Sequence, residues 1–234
     1  VTYRTYDFRT NEFSGLRGAE DHEPHEENPM IGYRGCFRYV KDPELFDLEL
    51  EILARVRESS PNVNIMIPFV RTKWELEACL ERIDKHRLGS DHGLLRWVMA
   101  EVPSIVCRIP DYAKLGIHGV SIGSNDLVQT VYAVSRDDLE HYAHPVDARS
   151  PAVKRMIRTA IERFRAAGLE IGICGQAPSD HPDEIPSFLV EAGISSISRN
   201  ARISSRVTTP SAFAILAESA IIAAVNPTDR PVVE

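Results

Sequence analysis

The chain has little cysteine, little lysine and no long apolar run, and each shortage removes a class of protein. Its four cysteines, Cys36, Cys79, Cys107 and Cys174, lie far apart among 234 residues. None forms a Cys-x-x-Cys pair or joins a histidine at zinc-ligand spacing, which argues against a zinc module and against a disulfide framework. Reduced thiols and a cytoplasmic location are the expectation. No apolar stretch approaches the roughly 18 residues that a membrane span requires. The opening Val1-Thr2-Tyr3-Arg4 lacks the basic and apolar regions of a signal peptide. It also lacks methionine, so the expectation is a start inside a longer gene product or after processing. Basic residues number 27 against 34 acidic ones, a net charge of −7. That balance disfavours a general nucleic-acid binder. Only 5 of the 27 are lysine and 22 are arginine. The plain reading of the bulk of this excess is genome base composition. Arginine is nevertheless the better bidentate partner of carboxylate and phosphate, so individual arginines count.

What remains is ordinary globular material, 43% hydrophobic and 26% charged. The length is slightly below the about 250 residues of a typical (β/α)8 barrel. Short apolar runs alternate with longer amphipathic ones. Strands are expected at Val1–Tyr6, Asn64–Val70, Leu94–Val102, Gly119–Gly123, Leu169–Cys174 and Ile194–Ser198. Helices are expected at Glu44–Ser59, with a stripe of Leu45, Leu48, Ile52 and Val56, and at Lys73–His86, with Trp74, Ala78 and Ile83 near one face. Further helices are expected at Ser104–Leu115, irregular at Pro110, and at Asn125–Tyr132. Ala152–Ala167 and Pro182–Ala192 follow, closed by Gly168 and Gly193, and Ala212–Val225 comes last. Asp7–Asn28 and residues 133–150 read as irregular loops. Strand–helix alternation with apolar strands points to a parallel sheet covered by helices. No repeat or Pro/Ser/Gly-rich linker divides it, so residues 1–234 read as one domain.

Ligands of such folds bind beyond the C-terminal ends of the strands. The successive ends carry Arg4 and Asp7, Arg34, Arg71, Glu101, then Ser124, Asn125 and Asp126, and lastly Cys174 with Gly175 and Gln176. Two carboxylates from separate strands can hold Mg²⁺, which takes oxygen ligands. Arginines can clamp phosphate and carboxylate, and a thiol can act as acid or base on carbon. Each residue also has a plainer reading. A strand-end arginine is commonly a salt-bridged surface group, Asp126 a helix cap and Cys174 a buried inert thiol. Glu101 stands out, because an unpaired carboxylate in an apolar strand is costly. The His141–His144 pair has no third ligand nearby in sequence and is set aside.

Longer motifs narrow the choice. Asn28–Tyr39 (NPMIGYRGCFRY), Ile65–Thr72 (IMIPFVRT), Ala100–Ser104 (AEVPS), Ser121–Gln129 (SIGSNDLVQ) and Gly172–Pro182 (GICGQAPSDHP) resemble the C-terminal, phosphoenolpyruvate/pyruvate-binding domain of the phosphoenolpyruvate synthase family. Pyruvate phosphate dikinase and enzyme I of the sugar phosphotransferase system are similar at greater distance. Tyr3–Phe13 and Ile194–Asn200 fit as well, so the resemblance covers about residues 1–200 and fades after Asn200.

The resemblance implies a (β/α)8 barrel, here expected without its first β/α unit, that binds phosphoenolpyruvate or pyruvate with Mg²⁺. It implies Glu101 and Asp126 as metal ligands. Arg4 and Arg34 would hold the phosphoryl group and bridging oxygen, with Arg71 at the same mouth. Gly123, Ser124 and Asn125 would receive carboxylate and phosphate. Cys174 would move the proton at the substrate methyl or methylene carbon. The family's phosphohistidine and nucleotide domains would be partners in cis or trans, and a homodimer is expected. No Gly-rich nucleotide loop or Thr-His-Ala-type segment occurs in the chain. A stand-alone Mg²⁺-dependent lyase or aldolase, or a binding module without turnover, remain alternatives at this point.

Overall fold

The structure, a computed structural model, describes residues 1–135 and 146–198. The elements run β1 (Thr2–Arg4), α1 (Thr10–Phe13), α2 (Ala19–His22), α3 (Gly35–Lys41), α4 (Pro43–Ser59), β2 (Asn64–Ile67), α5 (Lys73–Lys85), β3 (Arg96–Ala100), α6 (Pro103–Cys107) and α7 (Ile109–Ala113). They continue with β4 (Gly119–Gly123), α8 (Ser124–Tyr132), α9 (Pro151–Ala166), β5 (Glu170–Cys174), α10 (Ala177–Asp180), α11 (Ile185–Ala192) and β6 (Ser196–Ile197). The six strands pair in chain order β1-β2-β3-β4-β5-β6, every pair parallel. Each crossover carries helix, so this is the curled α/β wall of a (β/α)8-type barrel. Among the described residues β1 and β6 are its two edges. The expected helix at Ala212–Val225, the His141–His144 pair and the end of Ile194–Asn200 lie outside the described residues.

The core explains why these segments form strands. All five residues of β4 are buried, as befits a central parallel strand covered by helices on its outer face. Val98, Val120, Ile122, Ile171 and Ile65 are fully excluded from water. Burial of such a side chain is worth about 1.5–3 kcal/mol. Several expected strands are shorter in the fold. β2 stops at Ile67 because Pro68 has no N–H to pair and Phe69 turns to φ +49°. The helix expected at Ser104–Leu115 is two helices, broken at Arg108, with Pro110 in the first turn of α7, where proline is tolerated. The expected loop at Asp7–Asn28 contains the single-turn helices α1 and α2, and α3 arises where no helix was expected.

One helical stripe faces the other way from the sequence reading, and a second does so in part, its Ile83 being buried as expected. On α4, Leu45, Leu48, Ile52 and Val56 are exposed, while Phe46, Leu50, Leu53 and Ala54 are buried. On α5, Trp74 is half exposed, and Leu76, Cys79, Leu80 and Ile83 form the buried face. Both helices carry two apolar stripes, and periodicity alone does not say which one meets the sheet. α5 starts as its sequence suggests. The Thr72 hydroxyl accepts the Glu75 N–H, and the Glu75 carboxylate accepts the Thr72 N–H, a reciprocal cap that satisfies two otherwise orphaned donors.

Candidate active site

The parallel register brings the strand ends level. Gly123 pairs with Cys174 across β4 and β5, and Ala100 with Ile122 across β3 and β4. Glu101 therefore stands beside Gly123. A Cβ on Gly123 would lie 2.2 Å from Glu101 Oε2, so only glycine leaves the carboxylate its place. A cavity of about 320 Å³ opens at this level. Arg4, Asp7, Arg34, Met99, Glu101, Gly123, Ser124, Asn125, Asp126, Cys174 and Gly175 line it.

Every residue singled out from the sequence for this site lines the cavity except Arg71 and Gln176. The Arg71 guanidinium instead donates to the carbonyls of Ile31, at 2.9 Å, and Gly32, at 3.0 Å. It also pairs with Glu75 at 3.5 Å. It ties the segment before Arg34 to α5, one layer behind the cavity wall.

Three carboxylates meet in the cavity. One oxygen each of Asp7, Glu101 and Asp126 lies within 4.8 Å of the others. Glu101 is buried, and its Oε1 accepts the Phe69 N–H at 2.7 Å. Burial, then the nearby Asp126 and Asp7 charges, push its pKa from 4.5 up to about 8. Such crowding of like charge is relieved by a cation. The donors are all oxygen, which suits a hard divalent ion of the Mg²⁺ type. The sequence named Asp7 at the strand end but did not give it a metal-ligand role. Its place, three residues past β1, is the signal that was there.

Arg34 faces this cluster from the start of α3. Its Nε and Nη2 donate to Asp7 at 3.1 and 2.5 Å, and Nη1 donates to Asp126 at 3.1 Å. Nη1 also donates to the Met30 carbonyl at 3.0 Å. Burial works against its charge, but Asp7 and Asp126 outweigh burial and hold the guanidinium above its ordinary pKa. Arg4 is freer. Its side chain is 49% exposed and meets Asp7 at 3.3 Å, so it can turn toward an anion in the mouth.

The opposite wall joins α8 to the turn after β5. Asn125 Oδ1 accepts the Gln176 N–H at 3.1 Å, and Ser124 Oγ accepts the Ala177 N–H at 3.5 Å. Gly175 at φ +105° lets this turn approach, since a Cβ there would lie 2.3 Å from Ser124 Oγ. Just before it, the Cys174 thiol accepts from Ser121 Oγ at 3.3 Å. Burial raises the thiol pKa, the Ser121 hydrogen bond opposes it, and the thiol ends above its ordinary value. Cys174 is therefore a neutral thiol near pH 7 that lines the cavity. Ser121 was part of a motif but was given no site role from the sequence, although a hydroxyl inside the apolar run GVSIG signals a buried partner.

Fold and site together define a class, a parallel α/β barrel wall with an acidic and guanidinium-rich cavity at its strand ends. Comparison with known proteins places the chain more closely. The family described as "PEP-utilising enzyme, PEP-binding domain" matches residues 1–209, which carries the likeness past Asn200, where the sequence reading ended it. The chain belongs to that family. It is 47% identical over 206 residues to the probable phosphoenolpyruvate synthase of Staphylothermus marinus, covering 86% of this chain and 24% of that one. The phosphoenolpyruvate synthase of Escherichia coli is 41% identical over 205 residues, covering 86% and 26%. The chain thus spans about a quarter of the length of these relatives. Among solved structures, Haloferax volcanii malate synthase aligns at TM-score 0.51 and 14% identity, over 81% of this chain and 49% of that one. This likeness supports the barrel-type fold.

Proposed function

We propose that this chain is the phosphoenolpyruvate- and pyruvate-binding part of a phosphoenolpyruvate synthase-type phosphotransferase. The observation that carries the reading is the convergence of Glu101, Asp126, Arg34 and Cys174 on one cavity of about 320 Å³, in a chain of this family. Asp7, Glu101 and Asp126 would hold Mg²⁺, which supplies fixed positive charge opposite the negative charge that develops on the substrate's enolic oxygen. Arg34 lies against the same carboxylates and faces that oxygen, and Arg4 in the mouth takes the phosphoryl group. The first turn of α8, from Gly123 through Ser124 and Asn125, presents backbone N–H groups to the substrate carboxylate.

Cys174 holds the proton for carbon. From phosphoenolpyruvate, the phosphoryl group leaves for a histidine on another domain, in cis or in trans. The electron pair of the enolate then takes the thiol proton at C3, which yields pyruvate and a thiolate. In the other direction the thiolate removes a methyl proton and the enolate oxygen takes the phosphoryl group from phosphohistidine. A neutral resting thiol suits the protonating direction, since only the acid form delivers a proton. The chain works as one domain of this larger system.

The test is calorimetry with oxalate, a planar dianion shaped like the enolate. Oxalate is expected to bind the folded chain only when Mg²⁺ is present. A folded chain that ignores oxalate with Mg²⁺ in excess sinks the reading.

A further inference from the structure

Phe69 holds a backbone conformation that bulky residues seldom adopt. Its φ is +49°, in the left-handed region where a Cβ is crowded. The side chain is buried and lies behind the cavity wall. Two parts of the residue nevertheless reach the site. Its N–H donates to Glu101 Oε1 at 2.7 Å. The Arg34 guanidinium carbon sits over its ring, 3.9 Å from the ring centre. Arg71 approaches the same ring at 5.5 Å.

The surroundings fix this conformation. The Pro68 carbonyl accepts the Cys36 N–H at 3.1 Å, which locks the start of α3 to the end of β2. Gly35 sits directly on Phe69. A Cβ on Gly35 would lie 2.6 Å from the Phe69 Cβ and 3.0 Å from the Pro68 carbonyl, and Gly35 itself is at φ +53°. Two left-handed residues are therefore nested, one at each side of the contact. The φ angle sets the direction of the side chain relative to the residue's own N–H. At +49° one residue points its N–H at the acidic cluster and its ring at the cationic arm.

We propose that Phe69 is a positioning residue that sets Glu101 and Arg34 relative to each other. Its N–H fixes one oxygen of the Glu101 carboxylate and leaves the other for the cavity. Its ring covers one face of the Arg34 guanidinium, whose edge donates to Asp7, Asp126 and the Met30 carbonyl. The proposal rests on the reading above only for the identity of the ligand.

Two variants separate the two contacts. Phe69→Leu keeps the N–H and the apolar bulk and removes the ring face. Phe69→Gly also frees the backbone. In ¹⁵N-labelled, ligand-free protein, the Arg34 Nε–H signal is expected upfield, shielded by the ring, and slow to exchange. In Phe69→Leu it should move downfield and exchange faster. Calorimetry with Mg²⁺ alone and with Mg²⁺ plus oxalate completes the test. Phe69→Leu should weaken oxalate about tenfold with Mg²⁺ affinity unchanged, and Phe69→Gly should weaken Mg²⁺ as well. A folded Phe69→Leu chain with an unmoved Arg34 signal and wild-type oxalate affinity overturns the proposal. So does a wild-type chain whose Arg34 Nε–H is neither shielded nor protected, a result that needs no variant. If wild type ignores oxalate while the Arg34 signal moves as stated, the ligand reading fails and the positioning role stands.

Discussion

Cys174 and Glu101 were legible as strand-end residues, but the shifts of their pKa values were not. The sequence places a thiol and a carboxylate at strand ends. Only the fold shows that burial raises both pKa values and that Asp126 and Asp7 add to the effect on Glu101. Glu101 binds its proton up to about pH 8 in the fold and releases it near 4.5 in the unfolded chain. Between these values the folded state binds more protons, so metal-free stability falls as pH rises through that window. A divalent cation competes with that proton and relieves the repulsion. The rise in Tm on adding Mg²⁺ is therefore expected to be larger at pH 8.5 than at pH 5.5, as thermal scans at both pH values will show. Cys174 carries a separate prediction. Cys174→Ala should abolish exchange of pyruvate methyl protons with solvent while Mg²⁺-dependent oxalate binding persists. Proton NMR of the methyl signal in deuterated buffer reads the first and calorimetry the second. Unchanged exchange removes Cys174 from the proton path.

Helices and strands were legible as kinds and order, less so in their orientation. Proline and glycine punctuated the chain as their backbones demand. Gly168 and Gly193 follow α9 and α11 at φ +76° and +85°, and Pro68 ends β2. The inward face of α4 was not legible, because Leu48 and Leu50 are equally apolar and only the sheet chooses between them. Leu50 is fully buried and Leu48 is 57% exposed. Leu50→Ala is accordingly expected to cost about 2–5 kcal/mol. Leu48→Ala should change stability by less than about 0.5 kcal/mol. Urea unfolding of both variants measures the contrast, and equal losses would contradict the packing of α4. Arg71 belongs to this scale too. It reads as a substrate arginine from its place after a strand. The fold spends its hydrogen bonds on the carbonyls of Ile31 and Gly32.

At the scale of the whole molecule, the six parallel strands make a barrel wall whose mouth collects residues from four of its strand ends, β1, β3, β4 and β5, or the segments that follow them. In the relatives the matched region makes up only 24% and 26% of the length, and the present sequence carries no Gly-rich nucleotide loop and no phosphohistidine segment. The isolated 234-residue chain is therefore expected to form no phosphoenolpyruvate from ATP and pyruvate, as a coupled phosphate-release assay will show; robust turnover by the pure chain would refute this. Among the described residues no helix is long and apolar enough to cross a membrane. The sequence by itself determined the α/β alternation, the family and the chemical types at the strand ends, because hydrophobic period and local motifs are properties of neighbours along the chain. The tertiary structure alone decided that Asp7 joins Glu101 and Asp126, that Arg71 stands behind the wall and that Phe69 touches both arms of the site. Those are contacts between residues 32 to 119 positions apart. Strand register and helix packing settle them, and no local pattern encodes either.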